Sequence, residues 1–263
     1  MRPDFDVIII GAGLSGIDAG YHLQRTCPDK SYTILEARTA MGGTWDLFRY
    51  PGIRSDSDLY TFGFPFKPWR DEMSLAHGPS IKAYIEDTAA QFGIDRHIQF
   101  GSRVTRAGFD TDTATWTLTL SDHRTITCNF LYSCAGYYDY EQAYLPDLPG
   151  LVDFQGTLVH PQFWPEDLDY AGKRVVVIGS GATAMTIVPA MASETAHITM
   201  LQRSPSYVMP LPKQDPIANG LRKVLPEKLA YRVTRALLGA LRAAAREPPD
   251  RPGRLVVLAS PGG

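Results

Sequence analysis

The feature that most constrains the fold is a glycine turn set between a strand and a helix. Asp6-Val7-Ile8-Ile9-Ile10 is a short β-branched run, and Gly11-Ala12-Gly13-Leu14-Ser15-Gly16 follows it directly. An amphipathic stretch then reaches about Arg25, ahead of Cys27-Pro28. Ser31-Tyr32-Thr33-Ile34-Leu35 reads as a second strand, closed by Glu36. Strand, turn, helix and strand make a βαβ unit. In such a unit the first glycine permits the tight turn, the second lets a pyrophosphate approach the backbone, and the third lets the helix pack closely on the strand. The phosphate then meets free N–H groups at a helix N-terminus. Glu36, at the end of the next strand, can accept hydrogen bonds from a ribose diol. Gly11, Gly13, Gly16 and Glu36 are therefore expected to hold a dinucleotide. The competing reading is a glycine-rich turn in an α/β protein that binds nothing.

The unit recurs with a different motif. Lys173–Ile178 is β-branched and enters Gly179-Ser180-Gly181-Ala182-Thr183-Ala184, a helical stretch runs to about Ala192, and His197–Leu201 is the next strand. That strand runs into Gln202-Arg203-Ser204-Pro205, with no acid. Arg203 would attract a 2′-phosphate and Ser204 could hydrogen-bond it, which points to NADPH rather than NADH. The plainer reading of Arg203 is a solvated surface arginine. Two different dinucleotide motifs in one chain suggest a flavoprotein that takes hydride from nicotinamide.

Between the two units the pattern changes. From Met41 to Trp69, Gly, Pro, Asp, Ser and aromatics dominate, which predicts a long ordered loop with short helical turns. Within it, Gly42-Gly43-Thr44-Trp45 suits a loop wrapping a flat ring, although alone it reads as a core tryptophan in a turn. Ser80 to Phe92 looks helical. Ile98–Phe109, Thr115–Leu120 and Thr125–Tyr132 read as strands. Ile217–Arg246 is helix-compatible and basic, with Arg222, Lys223, Lys228, Arg232, Arg235, Arg242 and Arg246 against Glu227. Such a stretch has the composition of a weak membrane-surface contact, or more simply of a solvated face. Glu247–Gly263 shows no fold logic and is expected to be a disordered tail or an out-of-frame extension.

Composition narrows the function classes. The 263 residues are 44% hydrophobic and 11% aromatic, which supports a globular core. A net charge of -2 argues against a general nucleic-acid binder. The three cysteines, Cys27, Cys128 and Cys134, fit a reducing, cytoplasmic setting rather than a disulfide scaffold. There is no Cys-x-x-Cys pair, which counts against a dithiol reductase. No apolar run is long enough to span a bilayer, the N-terminus does not read as a signal peptide, and no metal site is expected.

One further segment carries a family resemblance. Phe154-x-Gly156-x-x-x-His160-x-x-x-Trp164-Pro165 resembles the fingerprint of type I Baeyer–Villiger flavin monooxygenases, and it lies between the two nucleotide motifs as in that family. Met41-Gly42-Gly43-Thr44-Trp45-Asp46 and the run from Arg49 to Asp58 are similar to the family's flavin loop. This loop, with Gln202-Arg203-Ser204-Pro205, most resembles the ethionamide-activating subgroup. The resemblance covers about residues 4 to 212.

It implies an α/β fold of two Rossmann-like, doubly wound nucleotide-binding domains, with FAD and NADP(H) as cofactors. NADPH would reduce FAD, dioxygen would add to give a peroxyflavin, and that species would convert a ketone to an ester or lactone, or oxidise sulfides, thioamides or amines. Carried over residue by residue, Gly11, Gly13, Ser15, Gly16, Glu36, Thr44, Trp45, Asp46, Leu47, Asp56 and Val104 should contact FAD. Gly179, Ser180, Gly181, Ala182, Thr183, Arg203 and Ser204 should contact NADP, with Arg54 and Ser55 reaching it from the flavin loop. Phe154, Gly156, His160 and Trp164 read as supports at a domain linker, so His160 is not expected to be a general base. Asp56 matches the family's partner of an active-site arginine that stabilises the peroxyflavin anion.

That arginine lies in the second half of family members, which are roughly twice this long, and Arg222 to Arg246 fall in the wrong place to replace it. Both domains are therefore expected to be incomplete at their C-terminal side, with uncovered sheet edges and apolar faces. The expected division is an FAD domain over 1–148, an NADP domain over 149–216, a basic helical segment over 217–246 and the tail over 247–263. Either a partner chain completes the fold, or the chain is a nucleotide-binding remnant without turnover. The nearest enzymatic rival is a flavin-containing or N-hydroxylating monooxygenase, which shares both nucleotide motifs but is disfavoured by the Trp164-Pro165 end of the fingerprint.

Overall fold

The computed structural model describes residues 2–204, 207–211, 213–244 and 255–259, the strands at 207–211 and 255–259 by their backbone. In chain order the first elements are β1 (Phe5–Ile10), α1 (Leu14–Thr26), β2 (Tyr32–Leu35), α2 (Thr44–Leu47), α3 (Leu59–Phe62), α4 (Gly78–Gln91), β3 (Ile98–Gln99), β4 (Val104–Asp110), β5 (Thr115–Leu120) and β6 (Thr125–Ser133). There follow β7 (Arg174–Ile178), α5 (Ala182–Met191), β8 (His197–Leu201), β9 (Tyr207–Leu211), α6 (Pro216–Val224), α7 (Glu227–Ala244) and β10 (Leu255–Ala259). The chain divides into two compact units: residues up to Leu47 with Pro79–Ala143, and Phe48–Gly78 with the remainder from Tyr144.

The first unit is built on a six-stranded sheet in the order β3-β2-β1-β6-β5-β4. β1 runs parallel to both β2 and β6, and β3 is parallel to β2. β4, β5 and β6 form an antiparallel meander. The continuous apolar runs of β1 and β2 have a simple cause: strands covered on both faces lose the alternation of a half-exposed sheet. On one face Ile8 and Leu35 pack with Leu118, Leu120, Ile126 and Cys128. On the other, α1 buries Gly16, Ile17 and Gly20. Ile98–Phe109, which reads as one strand, is two strands at opposite edges of the sheet. Gly101, at φ +63°, turns the chain between them.

The second unit contains Phe48–Gly78, which the sequence reading assigns to the first domain. Long-range contacts explain the difference. Ser74 N donates to Lys213 O at 2.9 Å, and the Tyr231 hydroxyl donates to Phe64 O at 2.9 Å. β7 and β8 form a two-stranded parallel sheet. Val176, Ile178 and Leu201 stand 62%, 56% and 54% exposed on it, so this sheet has the uncovered apolar face expected from the sequence.

Two further readings change. The basic stretch is two helices, because Leu225-Pro226 interrupts it and a residue before proline is pushed out of helical geometry. Several of its cations are used internally. Arg235 donates to the carbonyls of Tyr60 and Gly63 at the C-terminus of α3, where orphan carbonyls need donors. Arg222 donates to Arg70 O, and Arg70 pairs with Glu227 at 2.6 Å. In the tail, Leu255–Ala259 pairs parallel with Tyr207–Leu211 instead of lying free, because Leu255-Val256-Val257-Leu258 is an apolar, β-branched run. The remaining tail residues lie outside the described ones. Among the described residues no helix is long and apolar enough to cross a membrane.

Candidate functional site

In the first unit the glycine turn is enclosed by backbone. Gly11 has φ +99°, and a Cβ there would lie 2.5 Å from Cys134 O. A Cβ on Gly16 would lie 1.9 Å from Gly11 O, so helix and turn touch through bare backbone. Gly13 is the N-cap of α1 and no side chain caps that end. A second glycine backbone faces it: a Cβ on Gly43, at φ +56°, would lie 3.2 Å from the Gly13 Cα. Ser15 is exposed on the first turn of α1. The Glu36 carboxylate is buried and accepts from Ala12 N at 2.7 Å and from Arg38 N at 2.9 Å. It thereby ties the glycine turn to the end of β2, and each oxygen keeps a lone pair for a further donor.

Thr44, Trp45, Asp46 and Leu47 form α2, whose N–H groups at Trp45, Asp46 and Leu47 return to the carbonyls of Gly42 and Gly43. Asp46 is buried, and its carboxylate is held from two sides. Arg38 reaches it at 2.7 Å and Lys82 at 2.7 Å. The hydrogen bond to Asp46 holds the Lys82 ammonium above its usual range. The Arg38 guanidinium also lies 5.6 Å over the Tyr140 ring. Burial, with the negative charge of Glu36, pushes the Tyr140 phenol up. Val104 packs against the core below the sheet. Sequence reading missed Arg38, Lys82 and Tyr140. Only Arg38 left a signal, its place two residues after Glu36.

In the second unit the other glycine turn is open. Gly179 has φ +134°, and nothing lies within 4 Å of a Cβ placed on Gly179 or Gly181. Gly181 is the N-cap of α5, and no side chain caps this helix either. Thr183 is engaged: its side chain hydrogen-bonds the Tyr50 phenol, which burial pushes up. Ser180 and Ala182 complete the turn, and Arg203 and Ser204 are exposed just beyond β8. The segment from Tyr50 lies against α5. Gly52 has φ +75°, and a Cβ there would lie 2.7 Å from Ala190 Cβ and 3.2 Å from Thr186 O. The backbone of Arg54 pairs with that of His77 in a single antiparallel bridge, and Ser55 N donates to Ala76 O at 2.9 Å. Burial lowers the Arg54 pKa and the negative charge of Asp56 works against that, so Asp56 has an arginine nearby within its own loop.

The fingerprint residues have local tasks. The Phe154 ring lies over Gly156, where a Cβ would come within 2.5 Å of the ring. His160 caps a short 3-10 helix over Pro161–Phe163, its Nδ1 accepting from Gln162 N at 3.2 Å. Trp164 meets Tyr170 edge to face at 6.4 Å. Both line a cleft of about 420 Å³ with Pro51, Glu194 and the Arg49–Glu166 ion pair, which closes at 2.9 Å. Among the described residues no cluster of His, Cys, Asp and Glu could hold a metal.

Both turns therefore lead into helix N-termini without a side-chain cap, the first tied to a buried acid and the second open around its glycines. The chain is similar to known proteins over most of its length. The flavin-binding monooxygenase-like family profile matches residues 5–218. The FAD-containing monooxygenase EthA of Mycobacterium tuberculosis is 54% identical over 239 residues, which is 89% of this chain and 49% of that protein. The probable FAD-binding monooxygenase AlmA of Acinetobacter baylyi is 49% identical over 90% of this chain and 48% of its own length. The chain thus spans about half the length of the curated relatives it matches. Among solved structures, an oxidized steroid monooxygenase bound to NADP superposes with a TM-score of 0.74 at 31% identity, over 89% of this chain and 44% of that one. Cyclohexanone monooxygenase from Rhodococcus sp. Phi1 bound to NADP+ gives a TM-score of 0.72 at 28% identity, over 93% and 44%.

Proposed function

The chain belongs to the flavin-binding monooxygenase-like family, and on that premise we propose that it is an FAD- and NADPH-dependent monooxygenase, with FAD on the first glycine turn and NADP(H) on the second. The observation that carries this reading is the pair of uncapped helix N-termini, at Gly13 and Gly181, each behind a positive-φ glycine. The close approach of the Gly13 and Gly43 backbones fits a pyrophosphate, since a side chain at either place would fill the space. Glu36 would receive the ribose hydroxyls on its remaining lone pairs. Ser15, Thr44, Trp45 and Leu47 would complete the FAD contacts, with Val104 beneath. Asp46, committed to Arg38 and Lys82, acts through those cations.

On the second turn, Gly179, Ser180, Gly181, Ala182 and Thr183 would seat the NADP pyrophosphate. Arg203 and Ser204 would take the 2′-phosphate, and Arg54 and Ser55 would approach from the adjoining loop. Tyr50 orients Thr183 and Gly52 keeps that loop against α5. Phe154, Gly156, His160 and Trp164 would support the linker bend rather than the chemistry. When bound, FAD reduced by NADPH supplies the activation of dioxygen for inserting one oxygen atom into a small-molecule ketone or adding it to a sulfide, thioamide or amine. The Asp56 carboxylate is the group assigned to orient an arginine there.

A second reading is a nucleotide-binding chain without turnover, unless a partner chain completes it. The exposed apolar residues Val176, Ile178 and Leu201 on the β7–β8 sheet favour it. An anaerobic absorbance spectrum of the purified chain with FAD, before and after NADPH, separates the two. Bleaching by NADPH, slower with NADH, followed by ketone-dependent product in air, supports the monooxygenase. Bound flavin that NADPH cannot reduce supports binding alone, and no bound flavin removes both.

A further inference from the structure

Arg38 in the first unit carries a hydrogen-bonding group that the fold leaves unused. One arm of its guanidinium is spent on Asp46 at 2.7 Å. The Nη1 on the other arm is buried and has no hydrogen-bond partner. Buried guanidinium N–H groups are almost always paired, so an orphan there marks a place where another acceptor belongs. Its surroundings are those of the first glycine turn. The Arg38 N–H is on Glu36, whose other oxygen holds Ala12 N. The guanidinium lies over Tyr140, whose hydroxyl would be 3.6 Å from a Cβ on Gly43, the residue that faces Gly13. Asp46 fixes the guanidinium, and Lys82 fixes Asp46 from its other oxygen. Arg38 and Lys82 share the buried Asp46 carboxylate, and Lys82 also reaches Glu86 at 3.6 Å.

We infer that Arg38 is a ligand of the dinucleotide on the first turn, its free Nη1 donating to an oxygen of the ADP half, with Asp46 and Lys82 as positioning residues that hold the guanidinium in place. This rests on the reading that FAD occupies that turn. Because the contact is to the ADP half, its loss weakens FAD and ADP but not riboflavin, which has no such half. The carboxylate of Asp46 serves two fixed cations and needs no ligand of its own. Within this cluster the buried side-chain atom left without a hydrogen-bond partner is the Arg38 Nη1.

The test measures flavin affinity by fluorescence quenching for the unaltered chain, Arg38→Met and Arg38→Lys, with FAD and with riboflavin. Arg38→Met is expected to lose about ten- to hundredfold in FAD affinity, the range of a charge-assisted hydrogen bond, with riboflavin unchanged and Arg38→Lys between the two. A folded Arg38→Met that binds FAD within twofold of the unaltered chain overturns the assignment while leaving the cofactor reading intact. An unaltered chain that binds no FAD overturns the cofactor reading, and this assignment with it. Should Arg38→Met fail to fold, phenylglyoxal modification of the unaltered chain decides. ADP should protect Arg38 in peptide maps, and equal modification with and without ADP overturns the inference.

Discussion

The same glycine turn occurs twice in this molecule, and the glycines are there for different reasons. In the first unit the protein itself fills the space a side chain would need: Gly11 is against Cys134 O and Gly16 against Gly11 O. The turn is clamped between β2 and β6 in a six-stranded sheet. In the second unit the glycines face open space, on a sheet of two strands. The first motif is thus a demand of packing that also makes an anion seat. The second is a demand of conformation at Gly179 and otherwise room left for something else. One sequence pattern therefore covers two physical situations, and only the surroundings tell them apart.

The comparison can be broken most directly at Gly16. Gly16→Val should destabilise the first unit by about 4 kcal/mol or more, because the Gly11 backbone must move to admit the side chain. Urea unfolding followed by Trp fluorescence measures it, and a variant as stable as the parent would dissolve the distinction. Next in size is Asp46→Ala, which strands two cations around a buried site and should cost about 3 kcal/mol.

The same cluster gives a pH signature. Lys82 has its folded pKa raised above the usual 10.5 by the bond to Asp46. Its contribution is complete below that value and is lost as pH climbs through the raised one. The parent should therefore lose more stability than Lys82→Met between roughly pH 10 and 12 in thermal melts. A smaller effect is expected at Arg203→Ala, with about tenfold weaker NADPH binding and unchanged NADH binding by titration calorimetry. Smallest is Gly181→Ala, which should stay within about 0.5 kcal/mol in the ligand-free chain while weakening NADPH. A large stability loss there would show the second turn to be as packed as the first.

The βαβ units were legible because each couples a β-branched run to a glycine turn and a periodic helix, signals that lie within a few residues of each other. β5 and β8 carry the limits their sequence predicts, Thr115–Leu120 and His197–Leu201. What escaped was set by distant contacts. The run from Ile98 mixes apolar and polar residues on both sides of Gly101, so nothing in its period shows that Gly101 sends its halves to opposite edges of the sheet. Phe48–Gly78 precedes the rest of the second unit by many residues and joins it through Gly52, Ser74 and Phe64. The glycines, Glu36 and Arg203 of the candidate site could be read from position alone. Arg38, Lys82 and Tyr140 could not, since a loop, a helix and a segment after β6 meet only in the folded chain. Leu255–Ala259 was unreadable as a strand because its partner, Tyr207–Leu211, lies far upstream.

The Phe154 ring over Gly156 and the His160 cap on Pro161–Phe163 have a consequence for how such chains are recognised. The fingerprint spells out a bend: a ring lying over the glycine two residues on, an imidazole that finishes a short helix, and an indole edge-on to a tyrosine at its exit. A search keyed to those letters detects a shape the chain must take, whether or not oxygen is ever transferred. Catalogues that score the motif as evidence of turnover will count every chain that keeps the bend, including those whose chemistry has gone elsewhere.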